Sequence, residues 1–230
     1  MFKNIKSDIK AAMARDPAAR NKLEIFLTYD GIKALIRYRL AHKLYLRGWR
    51  LIPRLIMSRA KHITGIDIHP GATIGRGVFI DHGDGVVIGE TAEIGDDVVI
   101  YQGVTLGGTG KDVGKRHPTV KNNVMISAGA KILGPVVIGE NSKIGAGSVV
   151  LTNVPANCTV VGVPGRIVRM FGQKYDGEGK QKSPDPILDE IKRISKRLNA
   201  VEDSVGITGC KYSIAEDSDF TEDPIDSSKL

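Results

Sequence analysis

DIHPGATIGRGVFIDHGDGVVIGETAEIGDDVVIYQGVTLGGTGKDVGKRHP, residues 67–118, decides the fold. Aliphatic residues recur in it every six positions: Ile68, Ile74 and Ile80, then an eight-residue step to Ile88, then Ile94, Ile100 and Leu106. After the interruption GGTGKDVGKRHPT the rhythm resumes at Val120, Ile126, Ile132, Ile138, Ile144 and Val150. Small or branched residues such as Ala72, Val78, Ala92, Val98 and Ser142 fill the fourth position after each aliphatic one. A helix cannot use this pattern, because a step of six turns successive isoleucines to different helix faces. A six-residue repeat predicts a parallel β-helix. Each hexad supplies one short strand and one corner, and three hexads close a triangular coil. The coils then stack at about 4.8 Å through backbone pairing.

An insertion in such a prism must leave it and lie outside. Two extra residues fall in DHGDGVV, between Ile80 and Ile88, and predict a kink. About eight fall after Leu106 and predict a protruding arm, which ends in Lys115-Arg116-His117-Pro118. Three of the five histidines, His69, His82 and His117, lie in this stretch beside the irregularities. A regular scaffold broken by polar irregularities reads as a frame carrying a site.

Outward from the prism, residues 2–63 have helical spacing, as in Phe2, Ile5, Ile9 and Met13. Asp16-Pro17 predicts an N-cap and first turn of a second helix, with Leu23, Phe26 and Leu27 continuing a buried face until Gly31. Ile32, Leu35, Ile36, Leu40 and Leu44 mark a third helix ending near Gly48, and Leu51 to Ile63 a fourth stopped at Gly65. Past Val150, NVPANCTVVGVPGRIV reads as a Pro-rich exit from the prism, and 172–186 as a linker. Ile187, Ile191, Ile194, Leu198, Val201 and Val205 step by four and three, an a/d seam of fewer than three heptads. From Ser213 the tail is acidic and predicted disordered. The expected class is α+β: a helical region over 1–66, a parallel β-helix over 67–170, and a linker, amphipathic helix and acidic tail over 171–230.

The chain has 230 residues and a net charge of +7, concentrated in the basic first 66 residues. A basic region can attract nucleic acid, anionic lipid or a phosphorylated small molecule. No nucleic-acid motif is present, no apolar run reaches transmembrane length, and MFKNIKSDIK is too polar for a signal peptide. Cys158 and Cys210 give neither a disulfide framework nor a zinc spacing. A reducing, cytoplasmic compartment is expected, with no nucleic acid and no membrane as partner.

DIHPGATIGRGVFIDH, GVVIGET, TLGGTGK and KRHP together resemble the serine O-acetyltransferases of the hexapeptide-repeat acyltransferases, over roughly residues 8–170, and the resemblance implies that the β-helix over 67–170 is left-handed. The front of the chain is similar to the short form, without the extra helices that join two trimers. The resemblance implies an enzyme that acetylates L-serine with acetyl-CoA on the way to cysteine, without a metal. It implies His82 as general base and Asp67 as the carboxylate that orients it. His117 and Arg116 would approach the substrate from the arm, Arg116 toward the serine carboxylate, with the detailed role of His117 open. Asp16 and Asp81 match positions that hold the serine ammonium. Glu90 has a supporting part, and His69 shapes its turn. For acetyl-CoA, the backbone at Gly108 and Thr109, the small corner residues Ala128 and Ala146, and the cations Lys143 and Arg166 are candidates. Cys158 lies outside the motifs and is expected to be structural. Direct transfer is expected, since a covalent route needs an activated nucleophile.

The resemblance further implies a homotrimer and feedback inhibition by L-cysteine. It leaves a complex with cysteine synthase open, because the chain ends in Leu230 and not in the family's isoleucine. Three alternatives compete. A sugar or other hydroxyl acetyltransferase would use the same prism, but Arg116 with Asp16 and Asp81 suits a zwitterion. A γ-carbonic-anhydrase-like metal site would draw on His69, His82 and His117, whose sequence context fits the acetyltransferases better. An interaction module would use the basic helices alone.

Overall fold

The computed structural model describes residues 2–110, 113–175 and 186–205, in two compact units that divide between Lys174 and Tyr175. Four helices come first: α1 (Phe2–Arg15), α2 (Lys22–Thr28), α3 (Asp30–Leu46) and α4 (Leu51–Thr64). Gly65 ends α4 in the left-handed conformation, φ 69°, with its N–H on the Lys61 carbonyl. That close turn feeds the chain straight into the prism.

Four coils follow. The first holds β1 (Asp67–Ile68), β2 (Thr73–Ile74) and β3 (Phe79–Ile80); the second β4 (Val87–Ile88), β5 (Glu93–Ile94) and β6 (Val99–Ile100). The third holds β7 (Thr105–Gly107), β8 (Thr119–Val120) and β9 (Met125–Ile126); the fourth β10 (Lys131–Leu133), β11 (Val137–Ile138) and β12 (Lys143–Ile144). Then come β13 (Val149–Val150), β14 (Cys158–Val161), β15 (Arg166–Met170) and β16 (Gln173–Lys174). The strands stack into three faces, β1-β4-β7-β10-β13, β2-β5-β8-β11, and β3-β6-β9-β12-β14-β15-β16. This is the parallel β-helix that the hexads predict, left-handed as the resemblance implies.

The register shows where the repeats stumble. Asp67 pairs with Val87, twenty residues on, whereas Val87 pairs with Thr105, eighteen on. Thr105 pairs with Lys131, twenty-six on. The two insertions are thus absorbed outside the stack, and every aliphatic hexad residue from Ile68 to Val150 stays inside, at 7% exposure or less.

The helices close the open end of the first coil. A parallel coil leaves one row of backbone groups with no coil above it. Here side chains supply the partners. His42 Nδ1 meets the Pro70 carbonyl at 2.8 Å, and the Tyr38 hydroxyl donates to the Ala72 carbonyl at 2.5 Å. Arg39 donates to the Ile74 and Gly75 carbonyls and, through Nε and Nη2, to Asp8 Oδ2. Asp8 Oδ1 in turn accepts the Val78 N–H at 3.2 Å. Burial pushes the Asp8 carboxyl above its usual value despite the Arg39 guanidinium. The pair therefore gains little as an ion pair and serves to set the cap in register. At Gly31 in α3, an added Cβ would lie 2.1 Å from the Ile80 carbonyl oxygen, so only glycine lets α3 approach the prism.

The structure changes several readings. Asp16 does not cap α2. Its Oδ1 accepts the Ala18 N–H and its Oδ2 the Tyr29 hydroxyl, while Asn21 caps α2 through the Glu24 N–H. Leu23, Phe26 and Leu27 are exposed, and Ile25 is the buried residue of α2, because α2 packs through one side only. Gly31 lies inside α3 and does not end a helix. The Pro-rich exit keeps to the stack: Val154, Cys158 and Val160 remain in the core, β14 runs parallel to β12, and β15 and β16 turn back antiparallel. Lys174, inside the stretch read as linker, is paired in β16. The unit after Lys174 contains α5 (Pro186–Val205); the acidic tail lies outside the described residues.

Arg39→Met leaves the buried Asp8 without its cation. A loss of about 3–5 kcal/mol in unfolding free energy is expected, measured by urea denaturation at fixed protein concentration. Asp8→Asn in the same chain should recover part of it. A loss under about 1 kcal/mol, the range of an exposed pair, would show that the clasp does not hold the cap.

Candidate active site

The polar groups gather on two edges of the first face. One edge leads into it from the third face. There the eight-residue step carries His82 into the left-handed region, φ 56°. Its N–H donates to Asp81 Oδ1 at 3.0 Å and its side chain is exposed. A bulky residue held in this conformation costs on the order of 1 kcal/mol and marks a position selected for something besides folding.

Asp16 and Tyr29 reach the same edge from the cap. Ala12, Ile25 and Ile32 of the helices pack on the outward Phe79 and Val99, which fixes the helices over the third face. The Tyr29 hydrogen bond, with the Ala18 N–H, holds the Asp16 carboxyl below the usual carboxylate range, and His82 adds a smaller pull. Asp16 in return pushes the Tyr29 phenol up to about 12, with Asp81 contributing. The carboxylate of Asp16 is therefore charged at neutral pH, beside Asp81 and His82.

Beneath His82 the edge is bare. Gly85, Gly103, Gly129 and Gly147 follow one another coil by coil at φ 71°, 70°, 72° and 67°. The edge between the second and third faces needs the same conformation and uses Asp97, Asn123, Asn141 and Asn157 after Gly77. There the asparagines hydrogen-bond in a ladder, Asn123 to Asn141 at 2.8 Å and Asn141 to Asn157 at 3.1 Å. An added Cβ at Gly129 or Gly147 would meet nothing nearer than 3.9 Å. Asparagine adopts the same conformation on the neighbouring edge, and at Gly129 and Gly147 packing within the chain leaves room for a Cβ. What the glycines keep is a smooth groove.

The other edge, where the first face gives way to the second, carries the arm. Thr91 anchors it: its hydroxyl oxygen accepts the Arg116 and His117 N–H groups at 3.1 and 3.2 Å. Lys115 donates to the Thr91 carbonyl and to Glu93. The His117 ring lies on Gly89, where a Cβ would come within 1.9 Å of the ring. The Thr91 N–H and hydroxyl both reach His117 Nδ1, at 3.2 and 2.9 Å. A nitrogen accepting a backbone N–H carries no proton, so the neutral ring holds its proton on Nε2. Burial, then the Arg116 charge, lower the pKa of His117. The ring is thus a neutral Nε2–H donor near neutral pH. His69 has the same form: Nδ1 accepts the Gly71 N–H at 3.0 Å, and burial lowers its pKa.

Glu90 accepts from Arg116 at 2.7 Å and from the Tyr45 hydroxyl at 3.2 Å, and the Arg116 bond keeps it ionised. A cavity of about 480 Å³ opens between α4 and the first face, lined by Arg54, Lys61, Asp67, His69, Glu90, Arg116 and His117 among others. Among the described residues no hydrogen bond joins Asp67 to His82; Asp67 Oδ2 accepts from Lys61 at 2.8 Å. Of the residues considered for acetyl-CoA, Ala128 and Ala146 stand on the His82 edge, linked by the Gly147 N–H to the Ala128 carbonyl at 2.9 Å. Gly108 and Thr109 follow β7 at the root of the arm. Lys143 lines a second cavity of about 270 Å³ on the third face with Arg15 and Tyr101. Arg166 pairs with Val161 in the closing hairpin. These residues do not share one cavity. Among the described residues no three histidine, cysteine or acidic side chains converge as metal ligands.

Residues 117–152 match the family model described as bacterial transferase hexapeptide (six repeats). Over 205 residues the chain is 53% identical to a serine acetyltransferase of Synechococcus elongatus, covering 89% of this chain and 84% of that one. It is 53% identical to the serine acetyltransferase of Bacillus subtilis over 198 residues, 86% of this chain and 91% of the relative. The chain belongs to the serine acetyltransferase family. A solved serine acetyltransferase of Neisseria gonorrhoeae in complex with serine superposes with a TM-score of 0.71 at 44% identity, over 73% of this chain and 69% of that one. That of Brucella abortus in complex with coenzyme A gives 0.71 at 48%, over 74% and 68%. One in complex with cysteine gives 0.72 at 45%, over 73% and 70%.

Among the described residues no helix is long and apolar enough to cross a membrane. Four residues of the site escaped the sequence reading: Tyr29, Tyr45, Lys61 and Thr91. Thr91 alone had a signal, since it closes the GVVIGET motif. The others come from helices whose docking no local pattern encodes.

Nitrogen-15 spectra of labelled histidine at pH 6.5 are expected to show His117 predominantly neutral, with its proton on Nε2. A protonated ring, or the Nδ1–H tautomer, would contradict the Thr91 anchor.

Proposed function

We propose that this serine acetyltransferase moves the acetyl group of acetyl-CoA directly to the hydroxyl of L-serine, with His82 as general base. The observation that carries the reading is the pairing of two complementary half-sites on opposite edges of one face. The His82 edge offers a base and two carboxylates, Asp16 and Asp81, suited to an ammonium. The arm edge offers Arg116 for a carboxylate and the Nε2–H of His117. Three copies around a common axis set the His82 edge of one against the arm edge of the next, so a homotrimer completes each site. Residues 1–66 then serve as cap, 67–170 as the catalytic prism and 171–230 as an appendage.

In the reaction the His82 ring takes the serine Oγ proton as Oγ attacks the thioester carbonyl. The tetrahedral oxyanion collapses, the C–S bond breaks, and the CoA thiolate recovers the proton from His82. Asp67 stabilises the imidazolium and fixes its tautomer. Its present partner, Lys61, is exposed, and such pairs hold by about 1 kcal/mol or less. Asp67 therefore turns to His82 at little cost. His117 cannot compete as the base, since its Nδ1 is occupied and its Nε2 is protonated; it donates to the substrate carboxylate or the oxyanion. Glu90 and Tyr45 hold Arg116 and the adjoining turn.

The bare glycine edge with Ala128 and Ala146 gives the pantetheine arm its groove, the backbone at Gly108 and Thr109 on the arm edge of the adjoining copy closes it from the other side, and Lys143 and Arg166 take the phosphates. L-Cysteine differs from L-serine by one atom and competes for the same carboxylate and ammonium contacts. No metal enters this scheme. Cys158 is buried and structural, which suits a reducing cytoplasm. Docking to cysteine synthase would depend on Leu230, which lies outside the described residues.

His82→Asn keeps the left-handed backbone, which asparagine tolerates, and removes the base. kcat should fall by about 10³ or more with an unchanged circular dichroism spectrum; a loss under tenfold would remove His82 from the role. Gly129→Asn likewise keeps φ but fills the groove. KM for acetyl-CoA should rise at least about tenfold, with KM for serine little changed, because a side chain in the slot costs the binding of one substrate only. An unchanged KM for acetyl-CoA would place pantetheine elsewhere.

A further inference from the structure

We infer that α5 joins α5 of two further copies of this chain as a parallel three-stranded coiled coil. The inference rests on the three-copy arrangement proposed above. Over twenty residues α5 repeats apolar positions at heptad spacing, with Ile191, Leu198 and Val205 at a and Ile187, Ile194 and Val201 at d. Ile191, Ile194, Leu198 and Val201 are exposed by 45, 53, 43 and 58%. A helix in a protein owes most of its stability to packing of its apolar face, so an amphipathic one needs its stripe covered.

The composition of the seam says what covers it. Five of its six residues are β-branched, at a and d alike, a choice that favours three strands over two. Arg197 at g and Glu202 at e stand five apart, the spacing of ion pairs between neighbouring parallel strands. Asp189, Glu190, Glu202 and Asp203 balance Lys192, Arg193, Lys196 and Arg197, so the polar side has no net pull toward an anionic membrane. Glu190 and Arg193 already pair along the helix at 2.6 Å.

Fewer than three heptads would be weak between free peptides. Here eleven residues separate Lys174 from Pro186. Such a segment spans at most about 40 Å, so three prisms held together present their helices to one another at an effective concentration on the order of millimolar. The seam then becomes a second clamp on the same assembly.

The test uses the full chain with Cys210→Ser, into which Leu198→Cys or Lys196→Cys is introduced. Lys196 is an f position, on the far side from the seam. Under mild oxidation the Leu198→Cys chain should form disulfide-linked pairs in most molecules, at least about tenfold more than the Lys196→Cys chain. Equal, low cross-linking would overturn the inference, as with α5 folded onto its own prism or lying free. Light scattering during dilution supplies a second readout. The Ile194→Asp/Leu198→Asp chain should dissociate at a concentration at least about tenfold higher than the parent, since tethering no longer adds a second contact. An unchanged midpoint would overturn it too, and a parent of other than three copies would overturn the strand number. If the doubly substituted chain is monomeric at every concentration, the prism trimer fails while the coiled coil stands. Acetyl transfer to serine on the same samples keeps the catalytic reading separate from both.

Discussion

A stacked coil satisfies its backbone through its neighbours, so its first turn always lacks one. The whole N-terminal region answers that constraint. Asp8, Tyr38, Arg39 and His42 face the unpaired groups of residues 70–78 and meet them one by one. Once the cap is seated for that reason, Tyr29 and Asp16 stand beside Asp81 and His82, and α4 roofs the cavity with Lys61 and Arg54. The helices look like an accessory to the prism, yet their placement brings Asp16 and Tyr29 to one edge of the candidate site and Tyr45, Arg54 and Lys61 to the other groups of the first face.

The prism contributes heights and edges. Each coil fixes the level of its corner, and the two insertions alter what projects there without disturbing the stack. On one edge the extra residues twist His82 outward; on the next they carry Arg116 and His117, pinned back by Thr91. The polar groups of the candidate site therefore stand at departures from the repeat, while the repeat supplies rigidity. The two edges that need left-handed corners divide the work, one cross-linked by asparagine and one left smooth.

The sequence made the prism legible because a buried aliphatic every six residues has one geometric solution, and all thirteen such positions from Ile68 to Val150 lie inside. Long helices were legible from their spacing and from Gly65. The short α2 was not: with seven residues, its exposed Leu23, Phe26 and Leu27 outnumber the single buried Ile25, so periodicity pointed to the wrong side. Asp16 also misled, since an aspartate before proline is a common cap, and only Tyr29 from another helix reveals its actual bond. The motifs drew attention to His82, Asp67, Arg116 and His117, but no pattern could say that Asp67 faces Lys61 or which nitrogen of His117 is free. Those facts belong to contacts between elements distant in sequence.

The far end of the stack closes differently. The Val154 bridge to Ile138 covers the second face, Gly162 and Gly165 bond Val149 on the first, and the β14–β15–β16 turn-back covers the third. A solenoid left open there would offer three ready-made strand edges to the next molecule. With a helical lid at one end and a folded-back ribbon at the other, the chain is barred from growing into a fibre along its own axis, and its sides are left as the surfaces open to another copy.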